Sequence, residues 1–315
     1  PGGGGGPDKS PDQARDFRFE AGRRYKVRIE FTNDGRGARV IFGYSAGRED
    51  FDAAVNAARQ ADVAILCMGD NEETSGENFD RTSLDLPGRQ LDLVKAVYAT
   101  GTPVVLLLQS GRPVSANWEN EHLPAILEAW FPGEQGGAGI ADVLFGDAEP
   151  SGRLPITFPR SVGQVPCHYS RRPGGGKRYV EMDWLPLYPF GYGLAYTTFA
   201  YHDLKLDRTQ IAPDETVTVE FTVENTGSRA GVAVPQIYVR DYFSSVVKPE
   251  RQLAAFTRVE LAPGESRRVS VSVGPRALRT LGADYVWRVE PGDFEIQLGD
   301  NAENILLRTD LTVCG

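Results

Sequence analysis

The hydrophobic period changes once along this chain of 315 residues, and that change limits its fold more than any other feature. Up to about residue 200 the apolar residues fall in short unbroken runs: Val63 to Met68, Val104 to Leu108 and, more weakly, Ala125 to Trp130. Between the runs they recur at helical spacing, first at Phe51, Ala54, Val55 and Ala58. Leu91, Val94 and Tyr98 follow behind Pro87, and Ile140, Val143 and Leu144 lead up to Gly146. Unbroken apolar strands call for cover on both faces. Their alternation with amphipathic helices predicts an α/β layered domain with a mostly parallel sheet over 46–200. From about residue 203 the period is two. Val217, Val219, Phe221 and Val223 alternate with Thr218, Glu220, Thr222 and Glu224, and the pattern returns at Val269 to Val273 and Phe294 to Leu298. With turns at Asn225-Thr226-Gly227, Pro263-Gly264 and Pro291-Gly292, this predicts an all-β sandwich over 201–315.

The first 45 residues fit neither pattern. Residues 1–16 begin with a proline and a glycine run, without Met, a basic n-region or an apolar h-region. They read as a flexible tether with no signal peptide, at a cut within a longer protein. Over 17–45 the alternation of Tyr25, Val27, Ile29 and Phe31, the turn Asn33-Asp34-Gly35 and the return Ala38 to Phe42 predict a short β-hairpin. Two strands cannot bury a core alone, so this hairpin needs a partner sheet.

Charge and composition exclude several functions. Lys and Arg number 34 against 43 Asp and Glu, and the net charge of −9 repels phosphate backbones, so no nucleic-acid partner is expected. No apolar run approaches the roughly 20 residues of a membrane helix, so no membrane span is expected. Cys67, Cys167 and Cys314 lie far apart and odd in number. They read as reduced, mostly buried thiols, which favour a cytoplasmic location. His122, His168 and His202 have no zinc spacing, and neither a metal nor a cofactor is expected.

One stretch stands out chemically. The run ending at Met68 leads straight into Gly69 to Arg81, which carries five carboxylates: Asp70, Glu72, Glu73, Glu77 and Asp80. Loops beyond the C-terminal ends of parallel strands are where α/β folds place their working groups. Three readings stand: a solvated acidic loop, a calcium loop, or a general acid/base carboxylate on a mobile loop. Counted from Asp70, the sixth residue is Ser75 and the twelfth Arg81, which breaks the EF-hand template. A general acid needs one carboxyl held where it reaches a leaving-group oxygen, and composition does not choose which. Ser110 lacks a nucleophile elbow. Pro173-Gly-Gly-Gly-Lys177 lacks the Ser or Thr of a phosphate loop and reads as a hairpin tip. The aromatics Trp184, Tyr188, Phe190, Tyr192, Tyr196 and Phe199 suit either stacking on sugars or, the better-favoured reading, a hydrophobic clasp between the two domains.

Several blocks together resemble the C-terminal half of a family-three glycoside hydrolase of the β-glucosidase type. They run from Glu77-Asn78-Phe79-Asp80-Arg81 and Leu84-Asp85-Leu86-Pro87-Gly88-Arg89-Gln90 through Gln109-Ser110-Gly111-Arg112-Pro113-Val114 to Ala129-Trp130-Phe131-Pro132-Gly133-Glu134-Gln135-Gly136-Gly137. Ala141 to Gly146, Pro150 to Pro155 and Pro189-Phe190-Gly191-Tyr192-Gly193-Leu194 continue the order. Val223 to Gly227 and Leu261 to Glu265 resemble the fibronectin type III-like domain of these enzymes, and the leading hairpin is similar to the end of a protective-antigen-type carbohydrate-binding insert.

The resemblance implies a retaining exo-acting β-glycosidase, in which an Asp of a barrel domain attacks the anomeric carbon and a carboxylic acid of the α/β domain protonates the leaving oxygen. Two carboxyls about 5–5.5 Å apart are the geometry this requires. Matched residue by residue, the acid/base is Glu77, with Phe79, Asp80 and Arg81 beside the substrate and Glu72 and Glu73 as fallback acids. Asn78 stands where the family has Gly, and it tolerates positive φ. Arg81 is expected to pair with an acid and hold the loop. No barrel or nucleophile motif is present, so the chain alone is expected to hydrolyse little. Its implied partners are a β-linked glucoside or oligosaccharide and the barrel domain. A β-xylosidase or arabinofuranosidase shares these blocks, and a non-catalytic carbohydrate-associated scaffold module is the alternative.

Overall fold

The computed structural model describes residues 20, 22–28, 30, 51–174 and 178–315. In the first unit, Pro1–Asp50, the described residues form no paired strand, and Glu20 and Arg23 make an ion pair at 3.0 Å. The tether and most of the expected hairpin lie outside the described residues, as do Gly175 to Lys177.

The second unit, Phe51–Gly315, opens with α1 (Asp52–Arg59), then β1 (Ala64–Gly69), α2 (Gln90–Tyr98), β2 (Val104–Gln109), α3 (Asn117–His122), β3 (Ala125–Glu128) and α4 (Gly136–Phe145). The three unbroken apolar runs are the three strands, and they pair in parallel in the order β1-β2-β3. Helix α2 starts three residues after Pro87, whose carbonyl accepts the Gln90 N–H at 3.4 Å. Helix α4 stops at Gly146, left-handed at φ 82°, which only glycine adopts without strain. Val94 and Val97 of α2, Ala58 of α1 and Val104, Leu106 and Leu108 of β2 are buried together against Leu86, Val114 and Ala116. No helix among the described residues is long and apolar enough to cross a membrane.

Cover on both faces holds for β2 but not for β1. Ile65 is 43% exposed and Cys67 is exposed, so this face of β1, an outer strand of the sheet, stays open to solvent. The expectation of mostly buried thiols is corrected in the same way: Cys67 and Cys314 face solvent and Cys167 is half-buried, none of them in a disulfide. Cys67 is exposed by the open face of β1, and Cys314 by its place at the chain's end.

The remainder is strand-rich. It comprises β4 (Phe199–Leu206), β5 (Gln210–Ile211), β6 (Val217–Asn225), β7 (Gly231–Ala233), β8 (Gln236–Asp241) and β9 (Gln252–Phe256). These are followed by β10 (Val259–Leu261), β11 (Ser266–Val273), β12 (Thr280–Leu281), β13 (Trp287–Arg288), β14 (Gly292–Gly299) and β15 (Ile305–Val313). Sheets β11-β6-β4 and β5-β15-β14-β8-β9 enclose a core in which Val217, Val219, Phe221 and Val223 meet Ile237, Val239, Phe294, Ile296 and Leu298. The period-two residues are thus the inward faces of two packed sheets. Asn225 is fully buried because its amide is fully used: it donates to the carbonyls of Arg229 (2.7 Å) and Leu261 (3.1 Å) and accepts from Thr197 Oγ1 (2.6 Å).

The aromatic segment joins the two domains. Tyr169 stacks on Phe190 with centroids 4.2 Å apart and meets Tyr238 of β8 edge-on, while Tyr188 stacks on Tyr192. Gln236 of β8 donates to the Gly191 carbonyl at 3.0 Å, and Ala302 N–H to the Phe190 carbonyl at 2.9 Å. The clasp reading holds for these rings.

Gly69 ends β1 at φ 137°, and a Cβ there would lie 2.0 Å from the Gln109 carbonyl oxygen of the neighbouring strand. Gly69→Ala is expected to lower stability by about 2 kcal/mol or more, read as a shift of the urea midpoint; an unshifted midpoint contradicts this packing.

Candidate functional site

The site begins where β1 stops. Gln90, at the start of α2, grips the last strand residue from both sides: its Oε1 accepts the Gly69 N–H at 2.7 Å, and its Nε2 donates to the Gly69 carbonyl at 2.9 Å. Asp70 then drops inward, and its N–H continues the sheet to the Gln109 carbonyl at 2.9 Å. Its carboxylate, 3% exposed, accepts from Arg81 Nη1 and Thr74 Oγ1, both at 3.0 Å, and lies 3.5 Å from Arg112 Nε. A buried carboxylate needs such partners, because unpaired it would ionise only at a large desolvation cost.

The loop above Asp70 is built from short turns. Asn71 Oδ1 accepts from the backbone N–H groups of Glu73 and Thr74 at 2.9 and 3.1 Å, the side-chain turn that Asn favours. Phe79 N–H closes a second turn on the Gly76 carbonyl at 3.2 Å, and Asn78 takes φ 66° within it, the conformation expected of it. The Phe79 ring folds back over Gly76, where a Cβ would stand 3.0 Å from it. Arg81 also donates to the Asp85 carbonyl at 2.7 Å. Arg112, from the turn after β2, reaches the carbonyls of Thr74 and Phe79 and Ser75 Oγ at 3.4–3.5 Å, long contacts that only together hold the loop.

Two arginines and one aspartate therefore pin the loop while its other acids face water. Glu72, Glu73, Glu77 and Asp80 are exposed. Among the described residues the carboxylates of Glu77 and Asp80 have no ion-pair or hydrogen-bond partner. Glu77 sits in the Gly76–Phe79 turn, displayed outward on an anchored base. Of the expected site residues, the fold commits Arg81 to holding the loop, sets Phe79 half-buried against it and leaves Glu77 and Asp80 outside. Ser110 is fully buried and donates to the Arg112 carbonyl at 2.7 Å, a structural use.

Sequence reasoning passed over Gln90, Arg112 and Glu128. Glu128 ends β3; its Oε1 accepts the Trp130 N–H at 2.9 Å and lies 3.5 Å from Ser110 Oγ, while its Oε2 is buried without a partner among the described residues. Burial pushes its carboxyl up to about 7 from an ordinary 4.5. The bonds from Trp130 and Ser110 oppose that rise and the Asp70 carboxylate adds to it. An acid at the end of an apolar run was the available signal, though it resembles any strand end.

Removing the Asp70 carboxylate strands two partly buried guanidinium groups. Asp70→Ala is expected to cost about 3 kcal/mol in urea unfolding, and an unchanged midpoint rules out the anchor. The Glu128 proton has its own signature. The folded chain keeps it up to about pH 7, whereas the unfolded chain loses it near 4.5. Stability should therefore fall as pH rises through that window and level off above it. Thermal melts of Glu128→Gln should decline less across the window than those of the unsubstituted chain; equal declines contradict the buried acid.

The comparisons with known proteins identify the family. The family profile described as the glycosyl hydrolase family 3 C-terminal domain matches residues 7–196, and that of the fibronectin type III-like domain matches 233–302. A β-xylosidase of Formosa agariphila is 45% identical over 289 residues, 88% of this chain and 40% of its own length. A periplasmic β-glucosidase of Salmonella typhimurium is 42% identical over 265 residues, 81% of this chain and 35% of its own. Among solved structures, a β-glucosidase from Erythrobacter marinus superposes with a TM-score of 0.81 at 41% identity, covering 84% of this chain and 36% of that one. The β-glucosidase of Listeria innocua bound to glucose superposes with a TM-score of 0.80 at 31% identity, covering 86% and 39%. The chain thus spans well under half the length of the relatives it matches. With both profiles matched in order over the parallel-sheet and strand-rich regions, the chain belongs to glycosyl hydrolase family 3, of which it carries the C-terminal domain and a fibronectin type III-like domain.

Proposed function

We propose that this chain is the part of a retaining β-glycosidase that supplies the general acid/base, with Glu77 as the proton donor. The observation that carries the reading is the contrast within one loop: Asp70 is buried and pinned by Arg81 and Arg112, while Glu77 stands exposed on the turn that this anchor supports. A general acid must be held in place yet reach out to a leaving-group oxygen. Phe79 supplies an apolar surface next to it, suited to the face of a sugar or aglycone. The relatives named as β-glucosidases and β-xylosidases support a β-linked glucoside or xyloside as substrate.

The mechanism divides between two domains. A carboxylate from an N-terminal domain attacks the anomeric carbon as the bond to the aglycone oxygen breaks, and Glu77 gives that oxygen its proton. Glu77, now ionised, takes a proton from water, which attacks the glycosyl-enzyme and releases the sugar with retained configuration. On this reading the chain alone does not turn over substrate, since the covalent step needs the other domain.

The test uses the chain joined to the N-terminal domain of a full-length relative. Glu77→Gln should lower turnover of cellobiose or xylobiose about 10²–10⁴-fold, with a smaller loss on a dinitrophenyl glycoside whose leaving group needs no proton. Azide should restore part of the rate by replacing the water that the base activates. Unchanged turnover of the disaccharides rejects Glu77. The same substitution at Glu72 or Glu73 then identifies the acid.

A further inference from the structure

The aromatic segment does more than clasp two domains. The faces of Tyr188, Phe190 and Tyr192 are taken up by other rings, but Trp184 stays 40% exposed and with Tyr179 lines a half-open cavity of about 150 Å³. A clasp alone would close this space. Its frame is firmly held. Gln164, buried, accepts the Arg160 N–H at 2.6 Å and donates to the Trp184 carbonyl at 3.0 Å. Tyr179 donates to the Gly163 carbonyl at 2.8 Å. Arg171 lies over the Trp184 ring at 4.6 Å and is fixed in turn by Glu303 at 2.6 and 3.3 Å. Trp184, with one ring face under Arg171, and Tyr179 border the cavity beside a glutamate and the exposed His168, which sets apolar surface next to hydrogen-bonding groups. A pyranose presents the same pair of surfaces, an apolar C–H face and a ring of hydroxyls.

A relay of hydrogen bonds also connects the cavity's segment toward the acidic loop. The Leu84 carbonyl, just beyond the acidic loop, accepts from Ser115 N–H at 2.8 Å, and Ser115 Oγ donates to the Pro159 carbonyl at 2.9 Å. Arg160, next along, donates through Nε to the Leu185 carbonyl at 3.1 Å, one residue from Trp184. The segment that carries the cavity is thereby tied to the loop that displays Glu77.

We propose that the cavity lined by Trp184, Tyr179, His168, Arg171 and Glu303 is a second carbohydrate-binding site, which takes one sugar unit of a β-linked oligosaccharide. The ligand class rests on the glycosidase reading above; the site itself does not depend on Glu77. Calorimetric titration of this chain with cellobiose, xylobiose and laminaribiose should give saturable heat with at least one of them. Trp184→Ala should weaken that binding about tenfold or more, Trp184→Phe should restore part of it, and Trp287→Ala, at an exposed ring on the sandwich, should leave it unchanged. Tyr179→Ala serves as the second variant should Trp184→Ala lose the circular dichroism of the folded chain. Glu77→Gln should bind as the unsubstituted chain does. No saturable heat with any of the three sugars overturns the site, and so does equal binding by the Trp184 and Tyr179 variants. Binding lost in Glu77→Gln alone also overturns it, by placing the sugar on the acidic loop. Turnover by the Glu77 variants of the joined enzyme is scored separately, so the pocket can fail while the proton donor stands, and the reverse.

Discussion

A buried carboxylate held between two arginines is the constraint on which the rest of this structure depends. Asp70 leaves the end of β1 pointing inward, where Arg81 meets it from the same loop and Arg112 from the neighbouring strand's end. The stretch between Asp70 and Arg81 is mostly polar and has no core of its own. Without the pair at its ends it would be a loop of many conformations, and ordering each residue costs about 1–2 kcal/mol. The anchor converts that stretch into a platform. It also separates its acids in space, one buried between guanidinium groups and the others facing water.

The same division recurs one strand away. Glu128 closes β3 much as Asp70 follows β1, but no arginine among the described residues pairs with it, and burial pushes its carboxyl up to about 7.

Much of this was legible in the residues. Unbroken runs at Val63, Val104 and Ala125 named the parallel strands, and strict alternation at Val217 to Val223 named an inward sandwich face, because periodicity records burial directly. The family resemblance made Asn78 legible as a residue that tolerates a left-handed position and Arg81 as a partner for a loop acid. The contacts of Gln90 and Arg112 were not legible, since they join residues 21 to 42 positions apart and no local rule reports them. The exposure of Cys67 was hidden for a related reason. An apolar run says that a strand can be buried on both sides, whereas its place at the outside of the sheet decides whether it is.

That outer position carries a consequence of its own. Along β1 the backbone groups facing away from β2 have no ladder partner among the described residues, and beside them lie Ile65 and a thiol. Such a seam is a template for another strand. Prepared by itself in water, the chain would meet copies of itself there, with a net charge of −9 as the main force keeping them apart and Cys67 able to make any encounter covalent under oxidising conditions.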